Sequence, residues 1–203
     1  MRAARVVVAY HSGGGHTRQQ AEAVARGART VPGVEVALRS VDPLTDELWD
    51  QLAAADAIVF GSPTYMGTVS APFKAFADAT SRVWQDGLQW RDKVAAGFTN
   101  SMNINGDKLS TLQYLSVLAG QHGMHWVNLG MKGGWDTSKG SSEDLNRIGA
   151  WLGAMAQSNK DEPAEIVPPS SDLQTAEALG RRVALVTQQW IRGKVEKAES
   201  QAA

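Results

Sequence analysis

The sequence predicts a three-layer α/β protein built on a five-stranded parallel sheet, and three observations lead to this fold class. Short apolar runs alternate with longer segments of helical period, which is the pattern of repeated strand-helix-strand units. A glycine-rich turn follows the first apolar run and opens a helix. Polar loops follow the third and fourth runs. In parallel sheets, loops at the carboxyl ends of the strands form the ligand site.

The individual elements follow from the periodicity of the apolar residues. The apolar runs predict five strands, at 5–10, 34–39, 57–60, 94–98 and 126–129. Segments of helical period predict helices at 16–29, 46–54, 71–82, 108–122 and 171–194, and a shorter helix at about 143–155. Pro72 suits a first helical turn, and Asp107 suits the N-cap of the helix that follows it. Residues 157–170 form a long polar connection, and we expect the tail at 193–203 to fray.

Length and composition predict a single domain over residues 1–203 and disfavour several functions. A chain of 203 residues with 43% hydrophobic content can bury a full core. A net charge of −1 without a run of Lys or Arg argues against nucleic acid or an anionic membrane as partner. Because the chain has no cysteine, a redox role needs a bound cofactor. We find no signal-peptide core and no apolar run of membrane length, and therefore expect a cytoplasmic protein without membrane insertion.

The most informative stretch joins the first strand directly to a glycine-rich turn at the start of a helix. The turn consists of Ser12, Gly13, Gly14, Gly15, His16 and Thr17. Glycines let the backbone approach a ligand, and the free N–H groups at a helix start favour an anion. The hydroxyls of Ser12 and Thr17 can donate to phosphate oxygens. The turn therefore predicts a phosphate site, and the alternative is a turn that only makes a tight connection.

Residue identities narrow the choice of phosphate. A Walker loop needs a lysine after its last glycine, but His16 follows Gly15 here. A dinucleotide turn needs a third glycine where Arg18 stands, and the second strand has no acid at its end, since Glu35 lies near its start. What remains is a phosphate held by hydroxyls and backbone amides without a required cation. This suits the monophosphate of FMN.

Two further loops extend the pattern, at 61–68 and 99–106, and both are rich in small and amide residues. With them, the motifs at 12–17, 61–67 and 121–124 resemble the FMN-binding flavodoxin-like family over roughly residues 5–130. The branch that they resemble most is the WrbA type of NAD(P)H:quinone oxidoreductases, together with their shorter relatives. The resemblance implies the strand order 2-1-3-4-5 and non-covalently bound FMN.

The resemblance also implies roles for individual residues. The glycine-rich turn would hold the FMN phosphate. The loop after the third strand would follow the ribityl chain and the flavin edge, through Pro63, Thr64, Tyr65, Met66 and Gly67. The loop after the fourth strand would contact the pyrimidine side of the ring, through Asn100, Ser101, Met102, Asn103 and Asn105. His122 would approach the flavin, and Trp84 would line the substrate cleft.

The function implied is transfer of two electrons from NADH or NADPH through FMN to a quinone-like acceptor. This chemistry belongs to the cofactor and requires no dedicated catalytic side chain. A non-enzymatic flavodoxin-like electron carrier is the alternative. A binding protein that has lost its flavin is a third possibility, suggested by the unusual composition of the loop at 100–106.

The remaining aromatic and histidine residues permit narrower expectations. Tyr65 could pack beside a flavin or be an ordinary half-buried loop tyrosine. His122 and His125 have a spacing that could suit a metal pair, but no third ligand is near in sequence, and we expect no metal site. Trp49, Trp151 and Trp190 stand at helical spacing and suit core or subunit contacts. Exposed Trp84, Trp90 and Trp135 would form an apolar rim, which predicts a homodimer or homotetramer.

Overall fold

The computed structural model describes residues 2–202, with side chains described for residues 2–194. The strands are β1 (Ala4–Tyr10), β2 (Val34–Ser40), β3 (Ala57–Tyr65), β4 (Thr68–Val69), β5 (Val94–Ser101), β6 (His125–Trp126) and β7 (Ala154–Gln157). The helices are α1 (His16–Arg29), α2 (Asp46–Ala54), α3 (Ala71–Ala79), α4 (Ser81–Gln85), α5 (Lys108–Gln121) and α6 (Ser170–Ala202).

The main strands pair in parallel in the order β2-β1-β3-β5-β6. This confirms the predicted order, with β5 and β6 as the fourth and fifth strands of the prediction. Two short strands are additional: β4 pairs antiparallel with the end of β3, and β7 pairs with the end of β5. The carboxyl ends of β1, β3 and β5 therefore meet at one edge of the sheet, which we call the carboxyl edge.

Strands β6 and β7 share the outer position beside β5. Val94 and Ala95 at the start of β5 pair with β6, and residues 98–101 at its end pair with β7. Between these strands the chain leaves the sheet over residues 127–153. The helix expected at 143–155 is absent because Asn146 and Gly149 take positive φ angles of 52° and 73°. The Asn146 side chain also hydrogen bonds to both backbone groups of Ala150, which holds the turn in a non-helical shape.

Helices cover both faces of the sheet, because alternate strand residues point to opposite sides. Val7, Ala9 and Phe60 share one core with α2, α3 and α5. Val6, Val8 and Val59 share the other with α1 and α6. This is the predicted three-layer arrangement.

Two helices differ in extent from the prediction, and one predicted cap is not formed. The helix expected at 71–82 is divided into α3 and α4 around Thr80. Helix α6 begins one residue earlier than expected and continues to Ala202, while the last residue of the expected tail, Ala203, lies outside the described residues. Asp107 precedes α5 with φ 53° and makes no side-chain cap, contrary to expectation. Within the described residues, no helix combines the length and apolar character needed to cross a membrane.

Candidate functional site

A cavity of about 470 Å³ lies at the carboxyl edge, a volume within the usual range of small-molecule sites. Four segments meet there: the glycine-rich turn, the end of β3 with the following turn, the loop after β5, and the chain after β7. The lining residues are Gly14, His16, Thr17, Pro63, Thr64, Tyr65, Met66, Gly67, Asn100, Ser101, Met102, Asn103, Gly106, Asp107, Ser158 and Lys160. The first three segments are those that the sequence predicts.

Thr17 is the residue of the glycine-rich turn that most directly indicates a ligand. It is only 2% exposed and lines the cavity. Within the described part of the chain its hydroxyl has no hydrogen-bond partner, so it is available to a ligand in the cavity. The hydroxyl of Ser12, in contrast, accepts a hydrogen bond from the backbone N–H of Arg18 at 3.1 Å, so Ser12 shapes the start of α1.

The glycine-rich turn touches Tyr65 at Gly13. A Cβ atom on Gly13 would lie 2.5 Å from the Tyr65 hydroxyl oxygen. Tyr65 is half exposed and joins the glycine-rich turn to the turn after β3. Ser12, Gly13 and Gly15 belong to the predicted turn and do not line the cavity themselves, and Asn105 does not line it either.

The turn after β3 is a two-residue hairpin that places Met66 and Gly67 at the cavity mouth. Tyr65 pairs with Thr68, and the residues between them have φ angles of 47° and 87°. Positive φ at both positions is typical of a type I′ hairpin turn. Met66, at the tip of this turn, is fully exposed. Behind the turn, the Thr64 hydroxyl is hydrogen bonded to Thr99 and Thr111 at 2.8 Å each, so it serves the protein interior.

Lys108 stabilises the loop after β5. Its ammonium donates to Ser101 Oγ at 3.0 Å and to the carbonyl oxygens of Asn103 and Ile104 at 2.7 Å each. Burial lowers the pKa of Lys108 to about 8. These three bonds fix the backbone that lines this side of the cavity.

The chain after β7 closes the fourth side, and the sequence analysis did not assign it to the site. Ser158 accepts a hydrogen bond from the Asn100 amide at 2.9 Å, and its N–H donates to the Ser101 carbonyl at 3.1 Å. Further along, Glu162 reaches His16 in the glycine-rich turn, with 2.9 Å between its carbonyl oxygen and His16 Nε2. Asp107 also lines the cavity, as a wall residue rather than the expected helix cap.

His122 and Trp84 lie away from this cavity, contrary to expectation. Helix α5 runs back along the sheet from the carboxyl edge, so its end meets the start of β5, where the Asp92 N–H donates to the Gly123 carbonyl. His122 is buried there, and its Nε2 hydrogen bonds to Thr80 Oγ1 at 2.8 Å. Trp84 follows Thr80 on α4 and is 53% exposed. Both residues therefore lie at the opposite edge of the sheet from the cavity.

The other tryptophans occupy varied surroundings. Trp90, expected on the surface, is buried against Phe60 and His122. Trp135 and Trp151 are exposed, and Trp49 packs against the core with the Arg82 guanidinium 3.6 Å from its ring centre. Among the described residues, no three His, Cys, Asp or Glu side chains gather as metal ligands would.

Another cavity, of about 390 Å³, lies near the start of β1 and is lined by Arg2 and Gly33 among others. Arg2 is already paired with Asp56, with 2.6 Å between Nη2 and Oδ1. The predicted ligand turns are all at the carboxyl edge, so we assign the functional site to the cavity there.

The sheet order, the layers and the position of the cavity define a flavodoxin-like α/β protein. A WrbA-like flavodoxin of known structure from Agrobacterium tumefaciens superposes with a TM-score of 0.73 at 45% identity, covering 92% of this chain and 99% of that chain. A flavodoxin from the domain Archaea shares the fold with a TM-score of 0.61 at 21% identity, covering 91% of this chain and 99% of that chain.

Sequence comparisons agree with the structural ones. A family model described as NADPH-dependent FMN reductase matches residues 35–131. Flavodoxin FldP of Pseudomonas aeruginosa is 46% identical, over 91% of this chain and 97% of that protein. An NAD(P)H dehydrogenase (quinone) of Archaeoglobus fulgidus is 33% identical, over 91% of this chain and 98% of that protein. The chain belongs to the flavodoxin-like, WrbA-type family, and these matches support an FMN oxidoreductase.

Proposed function

We propose that the protein binds FMN in the carboxyl-edge cavity and transfers two electrons from NADH or NADPH to a quinone-like acceptor. The observation that carries the proposal is the hydroxyl of Thr17, a largely buried residue that lines the cavity and whose hydroxyl has no hydrogen-bond partner among the described residues. A phosphate would complete its hydrogen bonding and also face the free N–H groups at the start of α1. We also propose that residues 1–203 form a single domain. The location that we propose for the protein is the cytoplasm.

The residues of the cavity divide the task of holding this cofactor. Gly14, His16 and Thr17 would receive the phosphate end. The hairpin turn at 64–67 and the loop at 100–106 would receive the remainder, with Tyr65 offering an aromatic surface. Bound FMN supplies the redox chemistry. The protein positions the cofactor and needs no dedicated acid or base, so we assign no catalytic side chain.

The first test is recognition of the phosphate. We expect FMN to bind more tightly than riboflavin in a fluorescence titration, because only FMN reaches the Thr17 hydroxyl. Thr17→Ala should weaken FMN binding by about 1–2 kcal/mol, which is typical for a lost hydrogen bond to a charged group, and should leave riboflavin binding unchanged. Thr17→Ser keeps the hydroxyl and is the matched control. Equal affinities of the wild-type protein for FMN and riboflavin would contradict phosphate recognition.

The second test is the reaction. We expect NADH or NADPH, added without oxygen, to bleach the visible absorption of the FMN-loaded protein, and a benzoquinone to restore it. The alternative is a non-enzymatic electron carrier. It is supported by the name of a relative at 46% identity, flavodoxin FldP. If neither nicotinamide bleaches the flavin while a chemical reductant does, the proposed reaction is contradicted and the alternative is favoured.

A further inference from the structure

The segment at 158–164, which we call the strap, spans the cavity from the loop after β5 to the glycine-rich turn. Its first end is fixed by Ser158, which is buried and hydrogen bonded to Asn100 and Ser101. Its other end rests on the turn, since a Cβ atom on Gly15 would lie 3.0 Å from Ala164 Cβ. The strap is therefore held at both ends by the two loops that form the walls of the cavity.

The middle of the strap is a tight turn with Lys160 near its tip. The Glu162 N–H donates to the Asn159 carbonyl at 3.4 Å, and the Asn159 amide also donates to the Glu162 carboxylate. The Glu162 carbonyl contacts His16, so this turn lies directly beside the glycine-rich turn. Because a carbonyl oxygen only accepts, His16 Nε2 carries the hydrogen of this bond.

Lys160 is the one Lys or Arg among the residues that line the cavity, and Asp107 is the one carboxylate. Within the part of the chain that the structure describes, the Lys160 ammonium has no hydrogen-bond or ion-pair partner. In the strap, the Glu162 carboxylate is bonded to Asn159. Lys108, which also lies near the loop after β5, is bonded to three protein oxygens.

We propose that the Lys160 ammonium pairs with the phosphate of bound FMN and, with Thr17, makes the site selective for the phosphorylated flavin. This proposal rests on the proposed function, because it assumes that FMN occupies the cavity. Apart from His16, whose Nε2 donates to the Glu162 carbonyl, the turn offers only hydroxyl and backbone donors, which carry no full charge. Lys160 is exposed and lines the same cavity as the turn, and its ammonium would supply the cation that the turn lacks.

The test compares FMN and riboflavin binding to the full chain by fluorescence titration at low ionic strength. Lys160→Gln should raise the Kd for FMN about tenfold and leave the Kd for riboflavin within a factor of two. Lys160→Arg should keep most of the affinity, because the charge remains. Lys139→Gln removes an exposed lysine that lines a different cavity and is the matched control, with no change expected for either flavin. The difference between wild type and Lys160→Gln should shrink with added salt, since exposed charges are screened.

The outcomes separate this proposal from the one on which it depends. If the wild-type protein binds FMN more tightly than riboflavin but Lys160→Gln leaves FMN affinity unchanged, Lys160 does not pair with the phosphate. If Lys160→Gln weakens both flavins equally, Lys160 contacts a part common to both, and the proposal is overturned. If the wild-type protein does not bind FMN at all, the proposed function fails, and the role of Lys160 fails with it.

Discussion

His122 lies away from the cavity of its own chain and has a defined role in the core. Thr80 Oγ1 donates to the Ala77 carbonyl at 2.7 Å, so it accepts from His122, and His122 Nε2 carries the hydrogen. The other ring nitrogen, Nδ1, is buried without a partner among the described residues. The imidazole also packs against Trp90, with 4.7 Å between ring centres. Protonation of Nδ1 would therefore place a charge in apolar surroundings, and burial lowers the pKa of His122 below its usual value.

This environment predicts a loss of stability in acid. In the unfolded chain His122 takes up a proton near pH 6.5, whereas in the folded chain it stays neutral to lower pH. The unfolded state then binds more protons, so the free energy of unfolding falls as pH drops below about 6.5, by at most about 1.4 kcal/mol per pH unit. Urea unfolding at pH 7.5 and 5.5 measures the effect.

A comparison of variants assigns the acid effect to His122. Burial also lowers the pKa of His11, which contributes in the same direction. His122→Gln cannot titrate in this range, so we expect it to reduce the difference in unfolding free energy between pH 7.5 and 5.5 without abolishing it. His16→Gln, which changes a histidine at the other edge of the sheet, is the comparison. The assignment to His122 is wrong if the pH dependence is the same in His122→Gln and wild type.

At the scale of elements, a buried ion pair joins β7, the loop before it and the start of α6. Arg147 Nε and Nη2 contact the two carboxylate oxygens of Asp172 at 2.8 and 2.9 Å, and both side chains are under one-tenth exposed. Asp172 also accepts from the Gln157 N–H at 2.9 Å. The Gln157 side chain in turn donates to the Met102 carbonyl at 2.9 Å. The ion pair therefore supports both the strap and the loop after β5.

Removal of one partner should be costly. Asp172→Asn leaves the buried Arg147 guanidinium without a counter-charge, and we expect a loss of about 3–5 kcal/mol in the free energy of unfolding. Glu22→Gln breaks the exposed pair with Arg18, which water and salt screen, and should cost much less. Urea unfolding at pH 7.5 compares them. If Asp172→Asn costs no more than Glu22→Gln, the pair does not hold these elements together.

The elements show why most of the fold could be predicted and one part could not. Strands β1, β2, β3 and β5 and helices α1, α2 and α5 have uninterrupted apolar periods, and where they begin is predicted within a few residues. Leu145, Ile148, Leu152 and Met155 also stand at helical spacing, which suggested a helix. The backbone there is set instead by the positive φ of Asn146 and by pairing of β7 with β5. That pairing joins residues more than 50 positions apart, so a local pattern does not reveal it.

At the scale of the whole molecule, the cavity also has parts that the sequence predicts and parts that it does not. Three of its segments could be predicted because parallel strands bring their carboxyl ends to one edge. Lys160 and Ser158 could not, since the strap has no periodic pattern and is brought to the cavity by contacts between residues far apart in sequence, such as those with His16, Asn100 and Ser101. His122 lies away from the cavity of its own chain because the direction of α5 carries its end to the opposite edge.

The exposed apolar side chains bear on assembly. Trp90 is buried and therefore does not belong to the apolar rim that the sequence predicts. Trp84, Trp135 and Trp151 are each more than half exposed. Tyr65, Met66, Met102 and Ile104 are also exposed, at or beside the mouth of the cavity. Exposed apolar surface of this kind often marks a contact between subunits. We therefore predict a homodimer, or a homotetramer made from two dimers.

Trp84 gives this prediction a specific form. Within one chain it lies at the opposite edge of the sheet from the cavity, so it can border a substrate cleft only across a contact with a second copy. Light scattering at micromolar concentration should give a mass at least twice the 21.7 kDa of the monomer. If Trp84→Ala keeps that mass but loses quinone reduction, Trp84 lines the cleft of the neighbouring subunit. If it becomes monomeric, Trp84 belongs to the subunit contact, and a wild-type mass near 21.7 kDa would contradict assembly altogether.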